Sequence, residues 1–363
     1  MLSTRVLPPT AAAMEEAAAI LRAGGVVAFP TETVYGLGAN GFDAAACAKI
    51  YEAKGRPSDN PLILHIAHRD MLDEVALAVP EMAERLLAAF CPGPLTLVLR
   101  RRAAVPASIT GGLATVGVRL PENDVARALI RAAGFPLAAP SANTSGRPSP
   151  TTAQAVLADL AGRIPLILDD GSCRFGVEST IVDVTGERPV ILRPGAITRE
   201  MLEEVAGAVQ LDPGLLAQER AAEGAGAAGD AAPRAPGMKY THYAPRAPLT
   251  LLLAAPADLP AAVRRVLAEA AGKKVGLLLT DETAAALLGE VDAHVLVRLG
   301  ARSDMHAIAA RLYEALRSFD DRHVDCIFGE ALDETGLGLA VMNRLKKAAG
   351  YRMLRWEEIR GSS

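Results

Sequence analysis

An excess of charge of either sign is missing from this chain of 363 residues: 38 Lys and Arg stand against 42 Asp and Glu, a formal net charge of −4. Both halves are nearly balanced, so nothing supplies the broad basic face that binding nucleic acid chiefly through its phosphates requires. Cysteine is scarce. The four present (Cys47, Cys91, Cys173, Cys326) are far apart with no CxxC spacing, which excludes a disulfide framework and a paired-cysteine zinc site and fits buried thiols in a reducing cytosol. No apolar run reaches the roughly 18 to 20 residues needed to span a bilayer. The first residues lack the basic-then-apolar order of a signal peptide, since "AAAMEEAAAILRAGG" carries Glu15 and Glu16. There is no GxxxxGK[ST] phosphate loop. The expectation is a cytoplasmic protein with no membrane contact.

What is present is a long globular chain, half hydrophobic and 22% charged. Its length exceeds what one core usually supports and argues for two domains. From about 11 to 207 helical and strand patterns alternate. A helix over 11–23 stops at Gly24-Gly25, and Asp43 caps one that ends at Gly55. Short apolar strands follow at 62–66, 95–99, 115–120, 166–168, 179–184 and 190–192, giving a mixed α/β fold. The Ala/Gly/Pro-rich stretch "PGLLAQERAAEGAGAAGDAAPRAPG" (213–237) reads as a flexible linker. From 247 a second α/β rhythm begins, and its first strand-to-helix turn carries no GxGxxG, so nothing there argues for a dinucleotide. The expected division is 1–207, 208–246 and 247–363.

Polar residues collect at the ends of the apolar strands. "KGRPSDNPLILH" (54–65) sets Lys54, Arg56, Asn60 and His65 around two prolines that fix φ. If extended, this segment points Lys54 and Arg56 the same way. Two cations so placed need an anion, either Asp59 in a plain salt bridge or the phosphates of a ligand. His65 and His68 would face opposite sides, which argues against zinc. "PTETVYGLGAN" (30–40) is a hydroxyl- and glycine-rich loop candidate. Arg119 in "VGVRLP" is costly in an apolar strand unless it meets an acid or a bound carboxylate. "APSANTSGRPSP" (139–150), "GVESTIVDV" (176–184) and "ILRPG" (191–195) add hydroxyls, amides and Arg193 at further strand ends. Residue chemistry alone therefore points to a nucleotide-binding or phosphate-handling enzyme.

In order, "PTETVYGLG", "KGRP…NPLILHI", "PGPLTLVL", "VGVRLP", "APSAN.SG.PSPT", "GVESTIVD" and "ILRPG" resemble the YrdC-like threonylcarbamoyl-AMP synthases. The likeness is almost continuous over residues 12–200. "THYAP" (241–245), followed by a second α/β domain, is similar to the longer, two-domain branch. The resemblance implies a twisted mixed sheet with a deep cavity, plus a smaller Rossmann-like α/β domain. It implies a nucleotidyltransferase that joins L-threonine, bicarbonate and ATP, with Mg²⁺, into threonylcarbamoyl-AMP and pyrophosphate. A separate transferase machinery then uses the product on tRNA.

By the family's motifs the KxR…SxN tetrad falls on Lys54, Arg56, Ser141 and Asn143, with Lys54 and Arg56 as the catalytic cations. Arg56, Asn60, Thr115, Ser141, Ser149 and Arg193 would contact ATP, with Tyr243 closing over it. Thr33, His65, Arg119, Ala139 (through its backbone) and Ser179 would surround threonine. The resemblance singles out no metal ligand and no general base. Two rivals share such a cavity: a carbamoyltransferase, whose family carries cysteine-paired zinc modules that are lacking here, and a module that grips tRNA or double-stranded RNA. The even charge balance weighs against the latter.

Overall fold

The computed structural model describes residues 2–215, 236, 243–292 and 294–361. The chain divides into two compact units, one of Met1–Ser145 with Ser149–Tyr240, the other of Gly146–Pro148 with Thr241–Ser363. Residues 216–235 of the expected linker, and Thr241 and His242 of THYAP, lie outside the described residues. Among those described, no helix is long and apolar enough to cross a membrane.

The strands of the first unit are β1 (Arg5–Leu7), β2 (Val27–Phe29), β3 (Gly36–Asn40), β4 (Ile63–His65), β5 (Leu95–Arg100), β6 (Thr115–Arg119), β7 (Leu137–Ala139), β8 (Leu166–Leu168), β9 (Thr180–Asp183), β10 (Val190–Arg193) and β11 (Gln210–Leu211). They form one mixed sheet in the order β1-β8-β2-β3-β7-β4-β6-β5-β9-β10-β11. Helix ends follow local chemistry. Asp43 accepts hydrogen bonds from the backbone N–H of Ala45 and Ala46, and Gly55 closes the helix Ala44–Lys54 in the left-handed conformation. Asn123 and Gly134 do the same for Asp124–Ala133.

Registers at the sheet's centre separate two faces. Leu64, Leu97, Leu99, Val116, Val118 and Val182 join the main core. Ile63, His65, Thr96, Val98, Thr115, Gly117, Arg119 and Ile181 alternate with them on the opposite face. There Ile63, Val98, Ile181 and Leu192 make a separate apolar cluster. A register shift in β10 sets Ile191 opposite Val182 yet Arg193 opposite Ile181. Strict alternation would send Arg193 to the core face with Ile191. The bulge turns it to the second face.

The second unit holds β12 (Leu249–Leu253), β13 (Val275–Leu279), β14 (Val295–Arg298), β15 (Cys326–Glu330) and β16 (Met353–Arg355). All pairings are parallel, in the order β14-β13-β15-β12-β16, as helices between successive strands allow. Tyr243 belongs here, at φ 67. Its ring stacks on Tyr313 with centroids 5.2 Å apart, beneath the fully buried Arg344.

One glycine holds the second face together. A Cβ on Gly195 would lie 2.4 Å from the Thr180 nitrogen and 2.5 Å from the Glu178 oxygen, atoms that cannot move without parting β9 from the turn after β10. Gly195→Ala is expected to destabilise the chain by about 1–3 kcal/mol in urea unfolding. An unchanged midpoint would contradict this packing.

Candidate functional site

The second face of the sheet carries the polar groups. Across neighbouring strands, His65 pairs in register with Arg119, and Arg119 with Thr96. The Thr96 hydroxyl lies 2.7 Å from that of Ser179. Arg193 donates to the Ser179 carbonyl at 3.0 Å and to its hydroxyl at 3.2 Å. Its second guanidinium nitrogen donates to the Pro236 carbonyl at 3.3 Å. A small pocket opens on this face, lined by Ile63, Thr96, Val98, Thr115, Gly117, Ile181 and Pro236 among others.

Arg119 meets an acid, as its position demands. Its guanidinium donates to Glu32 Oε1 at 2.6 Å, and both side chains are 5% exposed. Sequence reading gave Glu32 no role. Its signal was indirect, since a charged residue in an apolar strand requires a partner. The loop that carries it is built by hydroxyls: Thr31 Oγ1 accepts from the backbone N–H of Thr33 and Val34 and donates to the Val34 carbonyl at 2.6 Å. Phe175 N–H adds a bond to the Glu32 carbonyl at 2.9 Å. Arg119 Nε and Glu32 Oε2 are buried with no hydrogen-bond partner among the described residues. Each is a buried polar group that no protein partner among the described residues satisfies.

The two loops singled out in sequence meet each other. Gly36 bridges Ser141, Ala142 N–H donates to the Tyr35 carbonyl, and Leu37 N–H to that of Pro140. The stretch Gly36–Asn40, expected as loop, is therefore a strand, because β2 and β7 on either side satisfy its backbone. Lys54 and Arg56 also differ from expectation. They do not sit on one side of an extended segment but flank Gly55 at a helix end. Lys54 is 1% exposed. Its Nζ donates to the carbonyl of Ser141 at 2.6 Å, to that of Asn143, and to Asn143 Oδ1 at 3.3 Å. Ser141 Oγ donates to the same Oδ1 at 2.5 Å. Three acceptors match the three N–H bonds of an ammonium, so Lys54 locks this loop to the helix end and leaves a positive charge beneath it. Arg56 reaches the Pro61 carbonyl at 3.2 Å. Asn60 is 1% exposed with Oδ1 unpartnered among the described residues.

The remaining expected residues fall as follows. Thr33 is fully buried beside Thr31, 2.9 Å between hydroxyls. Ala139 ends β7 opposite Ile63. Ser149 donates to Glu178 Oε1 at 2.6 Å, another acid that the sequence did not single out. Thr115 opens β6 on the pocket face. Tyr243 lies in the second unit. No cluster of three or more His, Cys, Asp or Glu among the described residues could hold a metal ion.

His65 is fully buried, with Nδ1 3.2 Å from the Ile63 carbonyl and the Phe29 ring edge-on at 6.1 Å. Burial, reinforced by the Arg119 charge, lowers its pKa from 6.5 to about 3. The imidazole is thus neutral at physiological pH, and His68, exposed near Asp70, plays no part with it.

The chain is similar to known proteins over nearly its whole length. Residues 19–195 match a family model described as telomere recombination, and residues 197–350 one described as threonylcarbamoyl-AMP synthase, C-terminal domain. The chain is 48% identical over 341 residues to a threonylcarbamoyl-AMP synthase of Bacillus subtilis, covering 94% of each. It is 47% identical to one of Pyrococcus abyssi, over 93% of this chain and 94% of that protein. Its fold is similar to the crystal structure of P. abyssi Sua5 complexed with L-threonine, with a TM-score of 0.88 and 44% identity, over 98% of this chain and 99% of that one.

Because the folded state resists protonating His65 while the unfolded state does not, this residue's contribution to stability is full above the unfolded pKa. It is lost as pH falls from about 6.5 towards 3. The imidazole resonances of His65 are expected to stay constant between about pH 5 and 8. An NMR titration with a midpoint near the ordinary histidine value would contradict the burial described.

Proposed function

The chain belongs to the threonylcarbamoyl-AMP synthase family, and from that premise we propose that it is a nucleotidyltransferase whose single sheet face binds L-threonine and MgATP side by side. It makes threonylcarbamoyl-AMP for the modification of tRNA. The observation that carries the site reading is the buried Arg119–Glu32 pair, whose Nε and Oε2 have no hydrogen-bond partner among the described residues. One set of polar groups gathers around Arg119, His65, Thr96 and Ser179, another around Lys54, Arg56, Asn60 and the Ser141–Asn143 loop. Arg193, bonded to the Ser179 carbonyl and hydroxyl, links the two.

Arg119 suits the threonine carboxylate. Glu32 holds one of its nitrogens, and the buried Nε–H remains to donate. The neutral His65 and Thr33 flank it as hydrogen-bonding groups, with the Ala139 backbone and the Ser179 hydroxyl on the far side. The nucleotide falls to the other set. Its base would lie on the apolar floor near Thr115, and Asn60 Oδ1, an acceptor, suits an amino or ribose hydroxyl group rather than a phosphate. Arg56 and Arg193 supply guanidinium forks for phosphate oxygens, and Lys54 adds charge while fixing Ser141 and Asn143 in place. Ser149, held by Glu178, faces the same ligand.

Carbamate formation on the threonine nitrogen, followed by attack of a carbamate oxygen on the α-phosphorus, places growing negative charge on the phosphate oxygens. Fixed cations stabilise that charge without a covalent nucleophile. Mg²⁺ enters on the phosphates as part of the substrate and neutralises the departing pyrophosphate. Bicarbonate is the third substrate, and a tRNA threonylcarbamoyl transferase machinery is the consumer of the product.

Pyrophosphate release from ATP is expected only with threonine and bicarbonate both present. Release indifferent to either would overturn the assignment. Arg56→Ala is expected to lower kcat about 10²- to 10³-fold with unfolding unchanged, and near-normal turnover would remove Arg56 from the phosphate site.

A further inference from the structure

Threonine reaches bicarbonate as an ammonium ion, and no nucleophile exists until a base takes one of its protons. The residues placed around threonine above are poor bases. His65 has its ring turned to the backbone of Ile63 and Leu137, and burial disfavours its protonated form. The thiols of Cys91 and Cys173, which also feel the Arg119 and Glu32 charges, are pushed up to about 12 by burial and stay protonated. Arg119 is a donor only. Glu32 remains.

Glu32 has the geometry for the task. Its Oε1 is fixed on Arg119 at 2.6 Å, while Oε2 is buried and has no hydrogen-bond partner among the described residues. A carboxylate oxygen left so in a dry site is costly unless a donor comes to it. Glu32 is also among the residues, with Glu122, Asp124, Asp170 and Arg174, that line an open cleft of about 420 Å³. The rims of that cleft are tied by the exposed Arg174–Glu122 ion pair and by Asn123 Nδ2 donating to Asp170 at 3.2 Å. Glu32 thus stands between the Arg119 guanidinium and a mainly acidic cleft.

We propose that Glu32 receives the ammonium group of threonine on Oε2 and takes its proton, while Arg119 holds the carboxylate beside it. This rests on the threonine reading of the site. An α-amino acid carries its two charges on adjacent groups, so laid head to tail against the Arg119–Glu32 pair it makes a closed ring of alternating charge. Each buried charge then has an opposite neighbour on both sides, which offsets desolvation better than either pair alone.

In the step itself, the proton passes from nitrogen to Glu32 Oε2 and nitrogen keeps the electron pair. That pair forms the bond to the bicarbonate carbon. The adduct expels hydroxide, which removes a second proton from nitrogen and leaves as water. The carbamate oxygen then displaces pyrophosphate from the α-phosphorus. Glu32 returns its proton to solvent through the acidic cleft.

The test compares wild type with Glu32→Gln and Glu32→Asp, following threonine- and bicarbonate-dependent pyrophosphate release from neutral pH through the range in which free threonine loses its ammonium proton. Gln keeps the shape and an oxygen for Arg119 but cannot take a proton. We expect Glu32→Gln to fall about 10²- to 10³-fold in kcat at neutral pH, with KM for ATP within about twofold, since Glu32 touches no nucleotide group. Its deficit should shrink about tenfold per pH unit as hydroxide does the work of the base. Glu32→Asp, which keeps a carboxylate, should follow the wild-type pH profile at reduced rate, and it reports even if the Gln variant fails to fold. A Glu32→Gln rate within tenfold of wild type, or a deficit the same at every pH, would show that Glu32 only balances Arg119 and would overturn the inference. Wild type that releases no pyrophosphate with both co-substrates would overturn the threonine reading itself, and the inference with it.

Discussion

A guanidinium and a carboxylate, Arg119 and Glu32, face each other 2.6 Å apart, both buried, on the second face of the sheet. Neither charge is tolerable there alone; removing one partner of such a buried pair costs about 3–5 kcal/mol. Their positions depend on elements distant in sequence. Arg119 is held by register between β4 and β5. Glu32 is held by the threonine hydroxyls of its own loop and by the N–H of Phe175. A one-residue slip in β6 would turn Arg119 and Thr115 into the main core and bring Val116 and Val118 out. The hydrophobic pattern of that strand thus fixes where the charge must lie.

The same alternation explains how one sheet could be both core and the two-ligand surface proposed here. Its core face is continuous and apolar, so the strands can end in short polar loops without loss of packing. On the other face the loops converge: Gly36 on Ser141, Lys54 on the Ser141–Asn143 carbonyls, Arg193 on Ser179. Two backbone devices make this convergence possible. The bulge in β10 turns Arg193 out of the core, and Gly195, with no Cβ, lets the next turn lie against the backbone of Glu178–Thr180. Both act at Ser179, where the groups proposed for the nucleotide meet those proposed for threonine.

Much of this was legible in the sequence, for local reasons. Asp43 and Gly55 bound a helix because capping depends on a few neighbouring atoms, and β5, β6 and β9 show the period of a half-buried strand. The motif segments pointed to His65, Thr115, Arg119 and Arg193, which share the second face. What depends on distant contacts was not legible. Gly36–Asn40 is strand only because β2 and β7 accept it. Leu137–Ala139 and Arg5–Leu7 are too short to carry a period. Lys54 and Arg56 looked like a paired clamp in an extended segment, but a helix reaches to Lys54 and turns its ammonium onto carbonyls almost ninety positions away in sequence. Glu32 and Glu178 gave no pattern of their own, since a buried acid is recognisable only through the group it neutralises.

The account stands or falls on the ring of charge around the amino acid, and the affinity of a substrate analogue reads it directly. Threonine and the acid in which its ammonium is replaced by hydroxyl share the carboxylate, the side-chain hydroxyl and nearly the same volume. If the ammonium lies on Glu32, calorimetric titration should find the hydroxy acid at least about tenfold weaker, the loss of one charged hydrogen bond. Equal or tighter binding of the hydroxy acid would show that the ammonium makes no contact with Glu32 and would contradict the account.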